Sequence, residues 1–176
     1  MAKFEDHIAA LIEREGGARV VNDPDDPGGL TKYGISKRAN PGEDIESLTL
    51  SDATRIYREK YWRPIKGDDM PEALAAPMLD MAVTSGPYWA SVILQRVIGA
   101  DADGMIGPKT LAALRGATGG EEEYSGTRDS AEKLVAALYG LKRIEMYTEI
   151  AHEQGRPLSH LVSWTRRALA LSPREL

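Results

Sequence analysis

Residues 4–36 read FEDHIAALIEREGGARVVNDPDDPGGLTKYGIS, and this stretch decides the fold of the first half of the chain. Its first apolar residues recur at the spacing of a single helical face: Phe4, Ile8, Leu11 and Ile12. Two glycines follow Glu15 and predict the end of that helix, because glycine readily adopts the left-handed conformation found there. The sequence therefore predicts an amphipathic helix that ends beside a glutamate.

The segment after this helix has the composition of a tight loop followed by a small hairpin. Residues 18–29 are dense in Asn, Asp, Pro and Gly, which favour turns by their restricted or permissive backbone angles. Residues 18–21 and 30–35 flank these turn formers, and we expect them to pair as a short β-hairpin.

The remainder of the chain has the signals of further helices and no convincing strand alternation. Thr49 or Ser51 can cap a second helix that stops before Pro64. Later helices are expected at about 73–84, at 88–98, from Pro108 onward and at 158–171. A long helix precedes the last one, and its buried side is expected to carry Leu134, Leu138, Leu141, Ile144 (or Met146) and Ile150. We predict a mainly α protein in which residues 116–128 form a mobile linker.

Composition excludes several classes of protein. The chain has 42% hydrophobic residues, enough for a packed core, and a net charge of -5, which offers no basic surface to nucleic acid. It contains no cysteine, so thiol catalysis and disulfides are excluded. No stretch is apolar enough to cross a membrane, and the charged first residues do not resemble a signal peptide.

Glu15 is the first candidate for chemistry. At the C-terminal end of a helix the macrodipole disfavours a charged carboxylate, which suits a proton donor, and the glycines beside it leave room for a large substrate. The alternative is a solvated residue at a helix end.

Other polar residues admit several interpretations. The aspartates of residues 23–26 could hold a carboxylate opposite Glu15 or form an ordinary turn, and a calcium loop is disfavoured because no glutamate stands at the required position. The three histidines lack metal-ligand spacing, so we expect neither a metal nor a cofactor. Trp62, Trp89 and Trp164 are expected in or near the core, although one of them, or Tyr33, could line a sugar cleft.

The segments Glu15-Gly-Gly, Asn22-Asp-Pro and Asp26-Pro-Gly-Gly-Leu-Thr-Lys-Tyr-Gly-Ile-Ser resemble the signature of glycoside hydrolase family 108, the N-acetylmuramidases of phages and prophages. Residues 102–114 and the closing segment 161–167 resemble the predicted peptidoglycan-binding region usually joined to it. The resemblance spans nearly the whole chain. One departure is Ala18, where the family often has an aromatic residue.

This resemblance implies a lysozyme-like helical fold and cleavage of the β-1,4 bond after N-acetylmuramic acid. Glu15 would be the general acid, Asp26 the second carboxylate and Thr31 a residue that positions water, with Asp25 as the alternative to Asp26. Asp25 and Tyr33, together with Asp103 and Thr110 of the second region, are expected to contact substrate. We expect residues 1–87 to form the muramidase region and 88–176 a helical peptidoglycan-binding module, packed as one compact unit.

Two other functions compete with a phage-type endolysin. A non-catalytic peptidoglycan-binding or phage structural module would keep the second region and lose the acid, and a stem-peptide amidase would require zinc ligands or a Cys/His pair. The expected partners are peptidoglycan glycan strands, and neither nucleic acid nor stable membrane insertion is expected. We expect a monomer made in the host bacterial cytoplasm, released through a holin or a secretion pore, and acting in the periplasm or cell wall.

Overall fold

The computed structural model describes residues 1–22, 28–119 and 125–173. The described helices and strands are, in chain order, α1 (Phe4–Arg14), β1 (Thr31–Lys32), β2 (Ile35–Ser36), α2 (Leu50–Tyr57), α3 (Glu72–Ser85), α4 (Pro87–Val97), α5 (Pro108–Ala117), α6 (Ser125–Glu153) and α7 (Leu158–Ala170). A π-helical segment, Arg58–Trp62, continues α2, and a short 3₁₀ turn, Gly67–Asp69, precedes α3. The protein is mainly α with a small antiparallel hairpin, as the sequence predicted.

The first helix buries the face that its periodicity predicted. Its apolar residues are 0–7% exposed, and the Phe4 ring lies 5.4 Å from that of Trp62, which is fully buried. Thr49 begins α2 with a capping box in which its side chain and that of Asp52 each accept a hydrogen bond from the other residue's backbone N–H. The ring contact packs the first turn of α1 against the π-helical segment that continues α2.

The hairpin is shorter than expected and its strands pair differently. Strands β1 and β2 pair with each other, while Val21 forms one isolated bridge to Thr31. The predicted pairing of residues 18–21 with 30–35 is therefore right at a single position. Turn geometry sets the remaining register, because Tyr33 and Gly34 both adopt positive φ angles of 53° and 72°.

Helix α3, the last helix of residues 1–87, packs against both α4 and α6. One continuous apolar cluster joins residues of the first helix to residues of α3, α4 and α6. Tyr139 of α6 is fully buried, and its hydroxyl donates to the carbonyl oxygen of Ala90 at 3.2 Å. Residues 1–87 thus share a core with the helices that follow them.

Our prediction for the buried side of α6 is wrong for its three leucines, whereas Met146 is buried and Ile144 and Ile150 pack partly buried against the core. Leu134, Leu138 and Leu141 are 49%, 41% and 60% exposed, whereas the buried stripe carries Val135, Ala136, Tyr139, Arg143, Met146 and Tyr147. Apolar periodicity pointed to the leucines because the face that is buried contains an arginine and two tyrosines, which interrupt an apolar pattern. Their polar groups can be buried only where other elements supply hydrogen-bond partners.

The predicted linker, residues 116–128, also includes residues that are helical. Helix α5 includes Gly116 and Ala117, and α6 already begins at Ser125, so both ends of the segment 116–128 are helical. Residues 120–124 lie outside the described part of the chain. Among the described residues, no helix is long and apolar enough to cross a membrane.

Candidate active site

Glu15 occupies the C-cap of α1, as the sequence predicted. Its backbone N–H donates to Leu11 at 3.0 Å, and the next two residues, Gly16 and Gly17, have φ angles of 102° and 58°. These left-handed angles end the helix and turn the chain away from the Glu15 side chain. The Glu15 side chain is 21% exposed, so it is neither sealed in the core nor fully solvated.

The hairpin packs directly against Glu15. The Tyr33 N–H donates to the Gly17 carbonyl oxygen at 3.0 Å, and the Tyr57 hydroxyl donates to the Tyr33 carbonyl oxygen at 2.8 Å. A Cβ atom at Gly34 would lie 2.6 Å from both the Glu15 Cβ and the Tyr57 hydroxyl oxygen. Only glycine fits there, so the sequence Tyr-Gly of the hairpin allows the close approach.

Thr31 lies at the base of the predicted acidic loop. Its backbone pairs with Val21 through two hydrogen bonds of 2.8 and 2.9 Å, and its hydroxyl donates to the Gly29 carbonyl oxygen at 3.1 Å. Asp25 and Asp26 lie outside the described residues, in the segment that this pair closes. The proposed roles of both aspartates, and of Thr31, remain predictions.

Glu15 belongs to a group of charged side chains that the sequence did not reveal. We call this group the arginine–carboxylate cluster; it consists of Arg14, Glu15, Asp80, Arg143 and Arg167. Nη2 of Arg167 is hydrogen-bonded to Oε1 of Glu15. The same guanidinium bonds both carboxylate oxygens of Asp80 from its Nε at 3.0 Å, and its Nη2 lies 2.8 Å from Oδ1. Arg167 therefore joins two carboxylates that are 65 positions apart in sequence.

Asp80 is the centre of the cluster. It is fully buried in α3 and receives Nη2 of Arg143 at 2.5 Å, while Nε of Arg14 lies 3.7 Å away. Arg143 is 1% exposed, and its Nε donates to the Tyr147 hydroxyl at 2.7 Å. A buried charge is tolerated only when it is paired and hydrogen-bonded, and Asp80 meets that requirement through three arginines.

Electrostatics in the cluster follow from these contacts. Burial alone would lower the pKa of Arg167, but its hydrogen bonds to Asp80 and Glu15 outweigh burial and raise the pKa above its usual range. Burial, and then the negative charge of Glu15, raise the pKa values of Tyr57 and Tyr61. Arg167 is thus permanently charged, and the two tyrosines beside Glu15 remain neutral.

A groove of about 470 Å³ adjoins the cluster. It lies between the end of α3, α6 and α7, and its walls include Ser85, Tyr147, Gln154, Trp164 and Arg167. Trp164 is partly buried and packs on Tyr147 with ring centroids 5.4 Å apart. An aromatic side chain and several hydrogen-bonding groups therefore border the charged site.

The other two tryptophans differ in their surroundings. Trp62 is a core residue, as expected, but Trp89 is 43% exposed and contacts Tyr88 edge to face at 5.3 Å. The expectation that Trp89 belongs to the core is therefore wrong.

Asp103 and Thr110 belong to a separate hydrogen-bond network around the buried side chain of Gln95. The Gln95 amide donates to Asp103 at 2.7 Å and to Thr110 at 3.3 Å, and its oxygen accepts the Gly104 N–H at 2.8 Å. The hydrogen bonds from the Met105 N–H and from Gln95 lower the pKa of Asp103. These contacts fasten the loop before α5 to α4, and substrate binding by these residues remains a prediction.

Sequence reasoning missed Asp80, Arg143 and Arg167 as parts of the site. One signal was available, since Asp80 interrupts the apolar run Met78-Leu-Asp-Met-Ala82, and a lone acid in such a run requires a buried partner. The identity of that partner depends on how α6 and α7 pack. In the described residues, no group of three or more acidic or histidine side chains could hold a metal ion.

Comparison with known proteins shows the class to which the chain belongs. Residues 8–86 match the family described as Glycosyl hydrolase 108, and residues 89–169 match the one described as Predicted Peptidoglycan domain. These matches and a similar solved structure place the chain in glycosyl hydrolase family 108. The chain is a peptidoglycan hydrolase.

One similar solved structure is that of SagA of Brucella abortus. Its solved structure is 32% identical to this chain and superposes with a TM-score of 0.67, covering 98% of this chain and 96% of that one. No curated protein sequence matches the chain.

Proposed function

We propose that the chain is an N-acetylmuramidase that cleaves the β-1,4 bond between N-acetylmuramic acid and N-acetylglucosamine, with Glu15 as general acid. The observation that carries the proposal is the position of Glu15: a partly exposed carboxyl group at the end of α1, against the hairpin and beside the groove-lining Arg167. Family membership supports a peptidoglycan glycosidase. In such a reaction a carboxylic acid protonates the oxygen of the leaving sugar.

The second carboxylate in this proposal is Asp26, with Asp25 as the alternative. It would stabilise positive charge on the sugar or orient the attacking water, and Thr31, whose backbone anchors the base of the loop, would help to position that water. Tyr33 would contact the sugar from the hairpin. The distance between the two carboxyl groups decides whether the anomeric configuration is retained or inverted.

The proposed physiological setting follows from the substrate. A peptidoglycan hydrolase acts where peptidoglycan is, in the periplasm or cell wall. In the endolysin proposal the chain reaches this place through a holin or a secretion pore and acts as a monomer. No metal or cofactor takes part in the proposed reaction, since two carboxyl groups and water suffice for glycoside hydrolysis.

Glu15→Gln tests the assignment of the acid. Glutamine retains the size of the side chain and can still bond Arg167, but it cannot donate a proton, so release of reducing ends from purified peptidoglycan should fall by about 10²–10⁴-fold. Asp26→Asn should also be severe, and Thr31→Ala milder. Glu13→Gln is the matched control, because Glu13 is an exposed residue of the same last helical turn.

Fragment analysis decides between the proposal and its rival. The new reducing ends should be N-acetylmuramic acid. A folded Glu15→Gln protein that cleaves at the normal rate would remove Glu15 from the mechanism, and a wild-type chain that binds peptidoglycan without cleaving it would establish the non-catalytic binding module.

A further inference from the structure

The second half of the chain supplies a charged group to the proposed acid. Arg167 lies in α7, within the region that matches the Predicted Peptidoglycan domain, whereas Glu15 lies in α1 of the glycosyl hydrolase region. The two side chains are hydrogen-bonded across these regions. A region that served only to attach the enzyme to the cell wall would have no need to contact the acid.

Arg167 is itself held in place by a buried anchor. Its Nε donates to both oxygens of Asp80 at 3.0 Å, and Asp80 is fully buried in α3. The Arg167 side chain is 27% exposed, so it is fixed at its buried edge while its other edge faces the groove. This geometry lets Arg167 hold Glu15 without depending on Glu15 for its own position.

We propose that Arg167 is a positioning residue for Glu15, and that the second region therefore takes part in the reaction as well as in contact with the cell wall. This inference rests on the proposed function. In the free enzyme Arg167 holds the Glu15 carboxyl group in a fixed orientation through its hydrogen bond. When Glu15 gives its proton to the leaving sugar oxygen and regains one from the attacking water, Arg167 remains bonded to Asp80.

The charged and titratable groups around Glu15 determine what removal of Arg167 should do. Among the described residues, Arg167 faces Glu15 from α7, the hydroxyl of Tyr57 approaches it from α2, and Tyr61 acts on it from the π-helical segment. Asp80 lies beyond the guanidinium of Arg167. Arg14, the other arginine of the cluster on this side, pairs with Asp80 at 3.7 Å, and among the described residues Arg167 is the cation hydrogen-bonded to Glu15.

Arg167→Met is the decisive variant, measured in the full chain on soluble peptidoglycan fragments. Methionine retains an unbranched side chain, and Asp80 keeps Arg143, so the fold should survive. Because the acid loses its orientation, kcat should fall by about 10–100-fold while KM changes less than about threefold.

Two further variants separate positioning from folding. Arg167→Lys keeps the positive charge but cannot bond both carboxylates in the same way, so it should recover only part of kcat. Arg166→Met is the matched control: Arg166 is the exposed neighbour on α7, and its replacement should leave kcat and KM unchanged. Circular dichroism gives the folded fraction of each variant.

The possible outcomes lead to different conclusions. Wild-type kcat in Arg167→Met would overturn the proposal, and so would a loss confined to KM or one fully explained by the folded fraction. If Arg167→Met does not fold, Arg167→Lys carries the test, and wild-type kcat in that variant would overturn it. Failure of the proposed function has a different signature, because Glu15→Gln would then retain the activity of the wild type.

Discussion

Asp80→Asn should destabilise the protein more than any substitution at its surface. Asparagine has nearly the same shape but no charge, so Arg143, which is 1% exposed, would keep a buried positive charge without its partner. Removing one member of a buried ion pair typically costs about 3–5 kcal/mol. For a chain of this size, a change of 1 kcal/mol moves Tm by about 2–4 °C, so Tm should fall by roughly 6–20 °C.

Urea unfolding followed by circular dichroism and by fluorescence measures this loss. The buried Trp62 reports on the core, and the slope of the unfolding free energy against urea should not change, because the native surface stays the same. Asp129→Asn is the control: Asp129 forms an exposed pair with Lys133 at 2.9 Å, and its replacement should leave the unfolding midpoint within experimental error.

A double variant tests the cause. Asp80→Leu combined with Arg143→Met removes both charges of the pair at 2.5 Å, and its stability should exceed that of Asp80→Asn, because no unpaired charge is left at these two positions. An Asp80→Asn protein within about 1 kcal/mol of the wild type would refute the argument, since the buried charge would then be compensated by something other than Asp80.

Two other substitutions test how the site and the second region are built. Gly34→Ala should reduce kcat strongly, because its Cβ would lie 2.6 Å from that of Glu15. Gly29→Ala is the control for the backbone cost alone, because Gly29 has a similar φ of 68° and a Cβ there would meet no atom within 4 Å. Equal kcat values for the two variants would contradict the reasoning. Asp103→Ala should lower Tm, because Gln95 loses a hydrogen-bond partner, while kcat stays near that of the wild type. A large loss of kcat at unchanged Tm would instead place Asp103 in the reaction.

Local sequence signals predicted the elements well where local chemistry decides them. The end of α1 at Glu15, the cap at Thr49 and the start of α5 at Pro108 depend on glycine conformations, a side-chain cap and the absence of a proline N–H, all of which are properties of a few neighbouring residues. The mainly helical class follows from apolar periodicity in the same way.

Predictions failed where partners from distant elements decide burial. The exposed leucines of α6 have the periodicity of a buried face, yet the helix buries Tyr139 and Arg143, because Ala90 and Asp80 accept their hydrogen bonds. Such partners are not visible from α6 itself. The predicted linker is too wide for a different reason: a glycine near a helix end does not stop the helix, since Gly116 lies in α5 and Gly126 in α6.

The sequence by itself determined the family, the helical class and the position of the proposed acid, because the motif around Glu15 is a local pattern and a helix end is a local structure. Only the tertiary structure decided what surrounds that acid. Gly34 approaches it from the hairpin, and Arg167 reaches it from 152 positions away while anchored on Asp80. Contacts between charged groups depend on distance in space, and packing of the shared core brings these residues together.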